Sequence, residues 1–367
     1  MLVSPPREGV DRGVGAGECE TMQNVTGATE RAHRGPERAM AGASAWIISD
    51  GKAGHEALCL GVADALGLEA EVKRIRPSGV WKALAPWGPV SPAERFGRPG
   101  TPFAPPWPRF AFAAGRTTTP YIRALKRRAG LTTYTVVMLD PNTGPATADL
   151  FWVPEHDARR GANVVTTLTA PHRFSAQRLA EIRAEPDAAI GALRSPRVAV
   201  LVGGPNERYH YPEHVIRSFQ TVVRSLAALG AGLMITTSRR TPAALVAALE
   251  TLQRETGALI WTGEGPNPYP AFLAGADAFL VTADSVNMAG EAAATGRPIY
   301  VFEPEGGAEK FKTFHKALRD LGVTRPAPER FDAIETWTYP ALDAAATIAD
   351  EIERRWQRRQ SLLTGLT

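Results

Sequence analysis

From residue 45 onward, short apolar runs alternate with stretches in which apolar residues recur every three or four positions. In the first half the runs predict strands at residues 45–48, 70–75, 110–114, 135–139, 150–153 and 163–167. A helix carrying Leu58, Val62, Ala65 and Leu66 follows the polar turn 49–55 and ends at Gly67. After Ser195-Pro196 the pattern sharpens, with strands expected at 198–202, 233–236, 259–262, 278–281 and 298–302. Between them, a helix opens at Pro212 and keeps Val215, Ile216, Phe219, Val222, Val223 and Leu226 on one face, stopping at Gly230. A second is capped by Thr241-Pro242 and ends at Gly257. A short one covers 270–274, another covers 284–295 with Gly296 as its stop, and a last one covers about 340–360.

Alternating strands and helices imply parallel sheets covered on both faces. Right-handed crossovers then give an α/β protein with two Rossmann-like, doubly wound domains facing a cleft. Residues 45–195 are expected to form the first domain and 196–339 the second, with 340–367 a C-terminal helix packing back toward the first. Residues 1–44 are rich in Gly, Pro, Glu and Arg and lack aliphatic pattern, so a disordered extension is expected there. Whether the chain truly starts at Met1, Met22 or Met40 stays open. The proline-rich stretch 86–108, with Trp81, Trp87, Phe103 and Trp107 in or beside it, reads as a long loop.

The 367 residues are 44% hydrophobic and 22% charged, ordinary for globular cores, and the formal net charge is +4. That mild excess suits phosphate ligands or an anionic membrane surface. No basic run interleaved with aromatics points to nucleic acid. Two cysteines, Cys19 and Cys59, argue for a reducing compartment. With neither a run of about 18 apolar residues nor a secretory leader pattern, the expected location is cytoplasmic. No Asp-x-Asp occurs, and Pro212 interrupts the pair His210 and His214, so no metal is expected.

Ligands of open parallel sheets bind beyond the carboxyl ends of the strands. In the second half those ends carry Gly203-Gly204, then Thr237-Ser238-Arg239, then Gly263-Glu264-Gly265 with Asn267, then Thr282-Ala283-Asp284-Ser285. Each taken singly is an ordinary turn or cap; four on one edge favour a ligand site. In the first half the turn Ser49-Asp50-Gly51-Lys52-Ala53-Gly54-His55 places a histidine beside an aspartate at a helix start. A helix N-terminus favours neutral imidazole, which is then available as a base. A further loop adds Arg116 and hydroxyls at residues 114–120. The Walker spacing is absent.

The segment 284–299 resembles the donor-site segment of glycosyltransferase-B enzymes such as the lipid-linked N-acetylglucosamine transferase of peptidoglycan synthesis. Glu291, Gly296 and Pro298 match its spacing. The resemblance implies Glu291 on ribose hydroxyls, and Asp284 with Ser285 at a helix start facing a diphosphate. An acidic Asp284 would repel that diphosphate unless it caps the helix. The turn 49–55 is similar to the same family's glycine-rich turn at Gly51, Gly54 and His55.

Over residues 45–355 the chain resembles more closely a family named for a plant mitochondrial-fission factor, whose bacterial members are regarded as candidate glycosyltransferases. The shared pieces are 49–55, Val153-Pro154-Glu155-His156-Asp157, Ala170-Pro171-His172-Arg173, Val202-Gly203-Gly204 and 282–286. The resemblance implies a glycosyltransferase-B fold and transfer from a nucleotide-sugar substrate without cofactor or metal. His55 is the first candidate for the base, with Asp50 its orienter and Glu155 and His156 in reserve. Leaving-group charge would be met by the Ser285 helix start and by Arg239 or Lys52. Two alternatives stand beside this: a sugar-nucleotide epimerase, and a non-catalytic scaffold, since the plant member recruits a division protein. The acceptor expected is lipid-linked or of the cell envelope, reached by peripheral contact with the inner membrane through the tryptophan loop or the tail 354–359. Against that contact stands burial of the tryptophans under their own loop and solvation of the arginines.

Overall fold

A computed structural model describes residues 38–365. The first half contains β1 (Ser44–Ser49), α1 (Ala53–Ala65), β2 (Glu69–Arg74), α2 (Gly79–Ala83), β3 (Phe110–Ala114), α3 (Thr119–Ala129), β4 (Tyr134–Met138), β5 (Leu150–Pro154) and β6 (Val164–Thr167). Its six strands form one parallel sheet in the order β2-β1-β3-β4-β5-β6. Then come α4 (Ala176–Ala184), α5 (Ala188–Gly191), β7 (Arg197–Leu201), β8 (Tyr209–His210), α6 (Glu213–Ala228), β9 (Gly232–Thr236), α7 (Ala243–Thr256) and β10 (Leu259–Trp261). They are followed by α8 (Tyr269–Gly275), β11 (Ala278–Thr282), α9 (Val286–Ala293), β12 (Ile299–Phe302), β13 (Glu305–Gly306), α10 (Glu309–Asp320), β14 (Thr324–Pro326) and α11 (Ala344–Thr364). The second parallel sheet runs β10-β9-β7-β11-β12-β14. Counted along its own strands this is 3-2-1-4-5-6, the Rossmann order. The molecule is thus two doubly wound α/β layers in tandem, an architecture of the glycosyltransferase-B type.

The central strands are mostly apolar because both faces are covered. In β3, Phe110, Phe112 and Ala114 enter one core while Ala111 and Ala113 enter the core on the opposite face. In β7, Ala199 and Leu201 face one way, and Val198 and Val200 the other. Helix α6 buries the expected face, and Gly230 stops it at φ +85°, a left-handed backbone that suits glycine.

Several expectations are corrected. Order begins before the expected boundary at residue 44: Met40 is buried in the first core and Arg38 pairs with Asp350 and Glu353 of α11. Residues 1–37, with Cys19 and Met22, lie outside the described residues. Residues 119–129 form α3: Pro120 sits in its first turn, where a missing N–H costs nothing, and Tyr121, Ile122, Leu125 and Ala129 are buried. The last helix starts at Ala344 and runs to Thr364. It lies on the first sheet, with Ile348, Ile352 and Trp356 in that core and Trp356 against Phe110 at 5.0 Å between ring centroids.

The proline-rich loop has an aromatic core of its own. Phe103 is fully buried, stacked on Phe96 and edge-on to Trp46, and Trp107 packs between Phe96 and Trp46. Trp87 is 63% exposed. The basic tail is not simply solvated: Arg354 and Arg355 pair with Glu351, and Arg359 pairs with Asp149 and lies over the rings of Tyr134 and Trp356. Among the described residues no helix is long and apolar enough to cross a membrane.

The carboxyl edges of the two sheets meet. The loop leaving β5 puts His156 edge-on to Phe314 of α10 and pairs Asp157 with Lys310 at 2.8 Å, and α10 itself follows the carboxyl end of β12. The loop leaving β6 brings Thr169 so close to Gly290 of α9 that a Cβ there would stand 3.2 Å from the threonine Cβ. Next along the same loop, the His172 carbonyl lies where a Cβ on Gly61 of α1 would come within 2.7 Å, and Arg173 pairs with Asp64. The segment 170–173 is therefore packed between a helix of each half.

Candidate functional site

Each sheet has one place where its strand order reverses, and there the loops diverge to leave a crevice. In the first sheet it lies between β1 and β3, the strands that lead into the turn 50–55 and into Gly115. Asp50 accepts a hydrogen bond from His55 Nδ1 at 3.1 Å and from the Lys52 amide at 3.3 Å; the Lys52 ammonium is 3.4 Å away and Thr117 Oγ1 donates at 3.4 Å. Burial works to raise the Asp50 carboxyl, but His55, then the Lys52 amide and ammonium, outweigh it and hold it below its ordinary value. The His55 ring fills the space beside Gly115 that a Cβ there would need, 2.5 Å from its Cε1. Gly51 takes φ +82°, a left-handed turn that lets the chain double back from β1 into α1. Behind the turn, Ser49 donates to Glu56, which pairs with Arg74 of β2.

Not all first-half candidates join this cluster. Gly54 lies inside α1 with open space around it. Arg116 donates to the Ala83 carbonyl at the end of α2, 3.0 Å away, rather than into the turn. Glu155 is exposed, and its carbonyl accepts from Arg160. His156 is tucked against Phe314; burial, then the Lys310 charge, push its imidazole below the ordinary value.

In the second sheet the reversal lies between β7 and β11, which lead into Gly203-Gly204 and into Asp284. The Asp284 carboxylate is fully buried. Its Oδ2 accepts the Gly204 N–H at 2.8 Å and Arg240 Nη2 at 3.1 Å, and its Oδ1 accepts the Tyr211 hydroxyl at 2.6 Å. Thr282 Oγ1 accepts the Gly203 N–H, and the Gly203 carbonyl accepts from Ser238 and Thr241. A Cβ on Gly203 would stand 2.1 Å from Asp284 Oδ2, and one on Gly204 would stand 2.3 Å from the Arg240 carbonyl, so both positions are closed to side chains. Burial, then Asp284, push the Tyr211 phenol upward, which keeps it a donor.

Asp284 therefore does not cap the helix. Helix α9 begins at Val286 with Ser285 at the cap position and without a side-chain cap, while the Asp284 carboxylate turns back toward β7. Arg239 is exposed, and its neighbour Arg240 makes the contacts at the strand end. The arms leaving β7 and β12, which flank β11, pair with one another as the two-stranded ribbon β8/β13. They close over the end of β11. From below, His315 of α10 donates Nε2–H to the Ala283 carbonyl at 2.8 Å, and burial lowers its imidazole.

Farther along α9, Glu291 accepts a hydrogen bond from the Tyr269 hydroxyl. Loss of solvent pushes the Glu291 carboxyl up to about 7, and the Tyr269 bond opposes that only in part. Tyr211, Arg240, Tyr269 and His315 are not among the residues that the sequence singles out. Tyr211 and Tyr269 sit beside prolines with no pattern of their own, and His315 lies in α10, a helix outside the predicted elements. Among the described residues no three His, Cys, Asp or Glu side chains group as metal ligands.

The sequence profile of the family described as Mitochondrial fission ELM1 matches residues 53–356. The chain belongs to this family. Its relatives include the Arabidopsis thaliana mitochondrial fission protein ELM1, 29% identical over 276 residues, or 69% of this chain and 65% of the plant protein. An uncharacterized protein of Rickettsia prowazekii is 30% identical over 161 residues, 42% of this chain and 45% of its own length. The matches thus span just under two thirds of one curated relative and under half of the other. Among solved structures, the UDP-GlcNAc 2-epimerase of Methanocaldococcus jannaschii aligns with a TM-score of 0.48 at 10% identity, covering 84% of this chain and 99% of its own. The glycosyltransferase SnogD of Streptomyces nogalater aligns at 0.47 and 14% identity, covering 88% and 99%.

Proposed function

We propose that this member of the ELM1 family binds a nucleotide sugar between its two carboxyl edges and transfers the sugar to an acceptor hydroxyl. The observation that carries this reading is the Asp50–His55 pair, pinned against Gly115 at the reversal of the first sheet. With Nδ1–H donated to Asp50, Nε2 is the nitrogen able to take a proton. The acceptor hydroxyl gives its proton to Nε2 as its oxygen bonds to the anomeric carbon. The bond from that carbon to the diphosphate breaks, and its electron pair leaves with the nucleotide. Glu291, on the opposite edge, offers a carboxylate to ribose hydroxyls.

An acceptor carried on a lipid fits the apolar surface beside α2, where Val80, Leu84 and Trp87 are 59, 47 and 63% exposed near Lys82 and Arg116. Turnover of labelled nucleotide sugars with bacterial envelope lipids tests the reading. Product that forms with the wild type and is lost in His55→Ala supports it.

A second reading is non-catalytic recruitment of a partner. It is favoured by the internal use of backbone groups at the second reversal, where Asp284 already holds the Gly204 amide. A wild-type protein that binds no nucleotide sugar and yields no product would favour it.

A further inference from the structure

The loops after β7 and β9 meet backbone to backbone, with the Gly204 Cα beside the Arg240 carbonyl, so the start of the Arg240 side chain is fixed. Its far end is fixed as well: Nη1 donates to the Gly204 carbonyl at 3.1 Å and Nη2 to Asp284 at 3.1 Å. A guanidinium carries five N–H donors in a rigid fork. These two contacts use two of them, on a side chain that remains 42% exposed at the carboxyl edge. Its anchor is different in kind, since the Asp284 carboxylate is wholly inside and held by a backbone amide and a phenol.

A buried carboxylate with fixed donors holds an arginine the way an outer partner holds a metal ligand or a catalytic imidazole. We infer that Arg240 receives the phosphate of the donor, and that Asp284 is the positioning residue that aims it. The inference rests on the nucleotide-sugar reading and resolves the apparent conflict of an acidic side chain at a diphosphate site. Asp284 does not face the phosphate; its charge is spent on Arg240, the Gly204 amide and Tyr211. Arg239, exposed on the same loop, has no such anchor.

Calorimetric titration of the full chain with inorganic pyrophosphate at low salt tests this. Wild type should bind, and Arg240→Ala should bind at least about tenfold more weakly, the scale of one charge-assisted contact. Arg239→Ala should stay near wild type. Arg240→Lys keeps the charge without the fork and should not restore binding. Asp284→Asn keeps the shape and removes the charge; where it folds, it should weaken pyrophosphate while Arg240 is still present. Equal affinity in Arg240→Ala overturns the inference, as does a greater loss in Arg239→Ala. Full affinity in Arg240→Lys or in folded Asp284→Asn overturns the positioning role. Wild type that ignores pyrophosphate overturns the inference too. The donor reading then stands or falls separately, on binding of intact nucleotide sugars.

Discussion

The imidazole of His55 and the backbone of Gly115 are in direct contact: a Cβ built on Gly115 would come within 2.5 Å of His55 Cε1 and 2.9 Å of Nδ1. Gly115 also holds φ +87°, a conformation that side chains resist. Two loops of the first sheet thereby fix one ring. Gly115→Ala should destabilise the protein by about 1–3 kcal/mol and displace the ring from Asp50. Transfer should fall about as far as in His55→Ala. Urea unfolding and turnover of the same preparation check both, and a folded Gly115→Ala protein with full activity would show that the ring's position does not matter.

Asp50 supplies a pH signature. Its folded carboxyl lies below the ordinary value of 3.8, because His55 and Lys52 outweigh the effect of burial. The folded state therefore binds this proton less readily than the unfolded chain does. The stabilisation is present above pH 3.8 and is lost as pH falls through the folded value. Asp50→Asn should flatten that part of the stability curve and lower turnover while leaving donor affinity unchanged. Melting curves from pH 2.5 to 6 would reveal it, and superimposable curves would remove the pairing from the account.

Glu291 runs the other way. Burial raises its carboxyl from an ordinary 4.5 to about 7. Between those values the unfolded chain gives up the proton while the folded one keeps it, so this residue's contribution to stability falls as pH rises and levels off above about 7. Glu291→Gln should flatten the decline. Ribose hydroxyls are donors best met by the ionised form, so nucleotide affinity should rise with pH through about 7 in wild type and not in Glu291→Gln. Affinity independent of pH in both proteins would separate Glu291 from the ribose.

The two sheets are legible because β3, β4, β7, β9 and β11 are covered on both faces and are mostly apolar, broken only by Arg197 and by the threonines 135, 236 and 282. The strand β14, with Thr324 and Arg325 in it, pairs along one side only and carries no such run. In α3 the apolar face is only Ile122, Leu125 and Ala129, and Arg123, Lys126, Arg127 and Arg128 fill most of the rest of this short helix. The turn 49–55 could be read because its partners are neighbours: Asp50 and His55 are five residues apart. The surroundings of Asp284 could not. Its partners Arg240, Tyr211 and Gly204 stand 44, 73 and 80 residues away, brought together only by the strand order β9-β7-β11 and by the ribbon above it. Local sequence favours a helix cap for an aspartate before a helix, and here the tertiary contacts take its carboxylate instead.

Two glycines of the candidate loops should behave oppositely. Gly203→Ala drives a methyl into the Asp284 carboxylate, 2.1 Å away, and should destabilise by about 1–3 kcal/mol while weakening any anion binding nearby. Gly54 lies in α1 with no atom within 4 Å of a new Cβ, so Gly54→Ala should stabilise by about 0.5–1 kcal/mol. Denaturant midpoints of the two variants decide it. A destabilised Gly54→Ala protein would mean the turn needs that glycine for a reason other than space.

The central claim is that a nucleotide sugar sits between the two carboxyl edges, and titration of the full chain with a panel of nucleoside-diphosphate sugars tests it most directly. One member of the panel should bind with measurable heat and raise the melting temperature of wild type. His55→Ala should keep that affinity, and Glu291→Ala should lose it, because the first residue acts on the acceptor and the second holds the donor. A panel that leaves wild type unshifted, or binding that survives Glu291→Ala unchanged, would contradict the account.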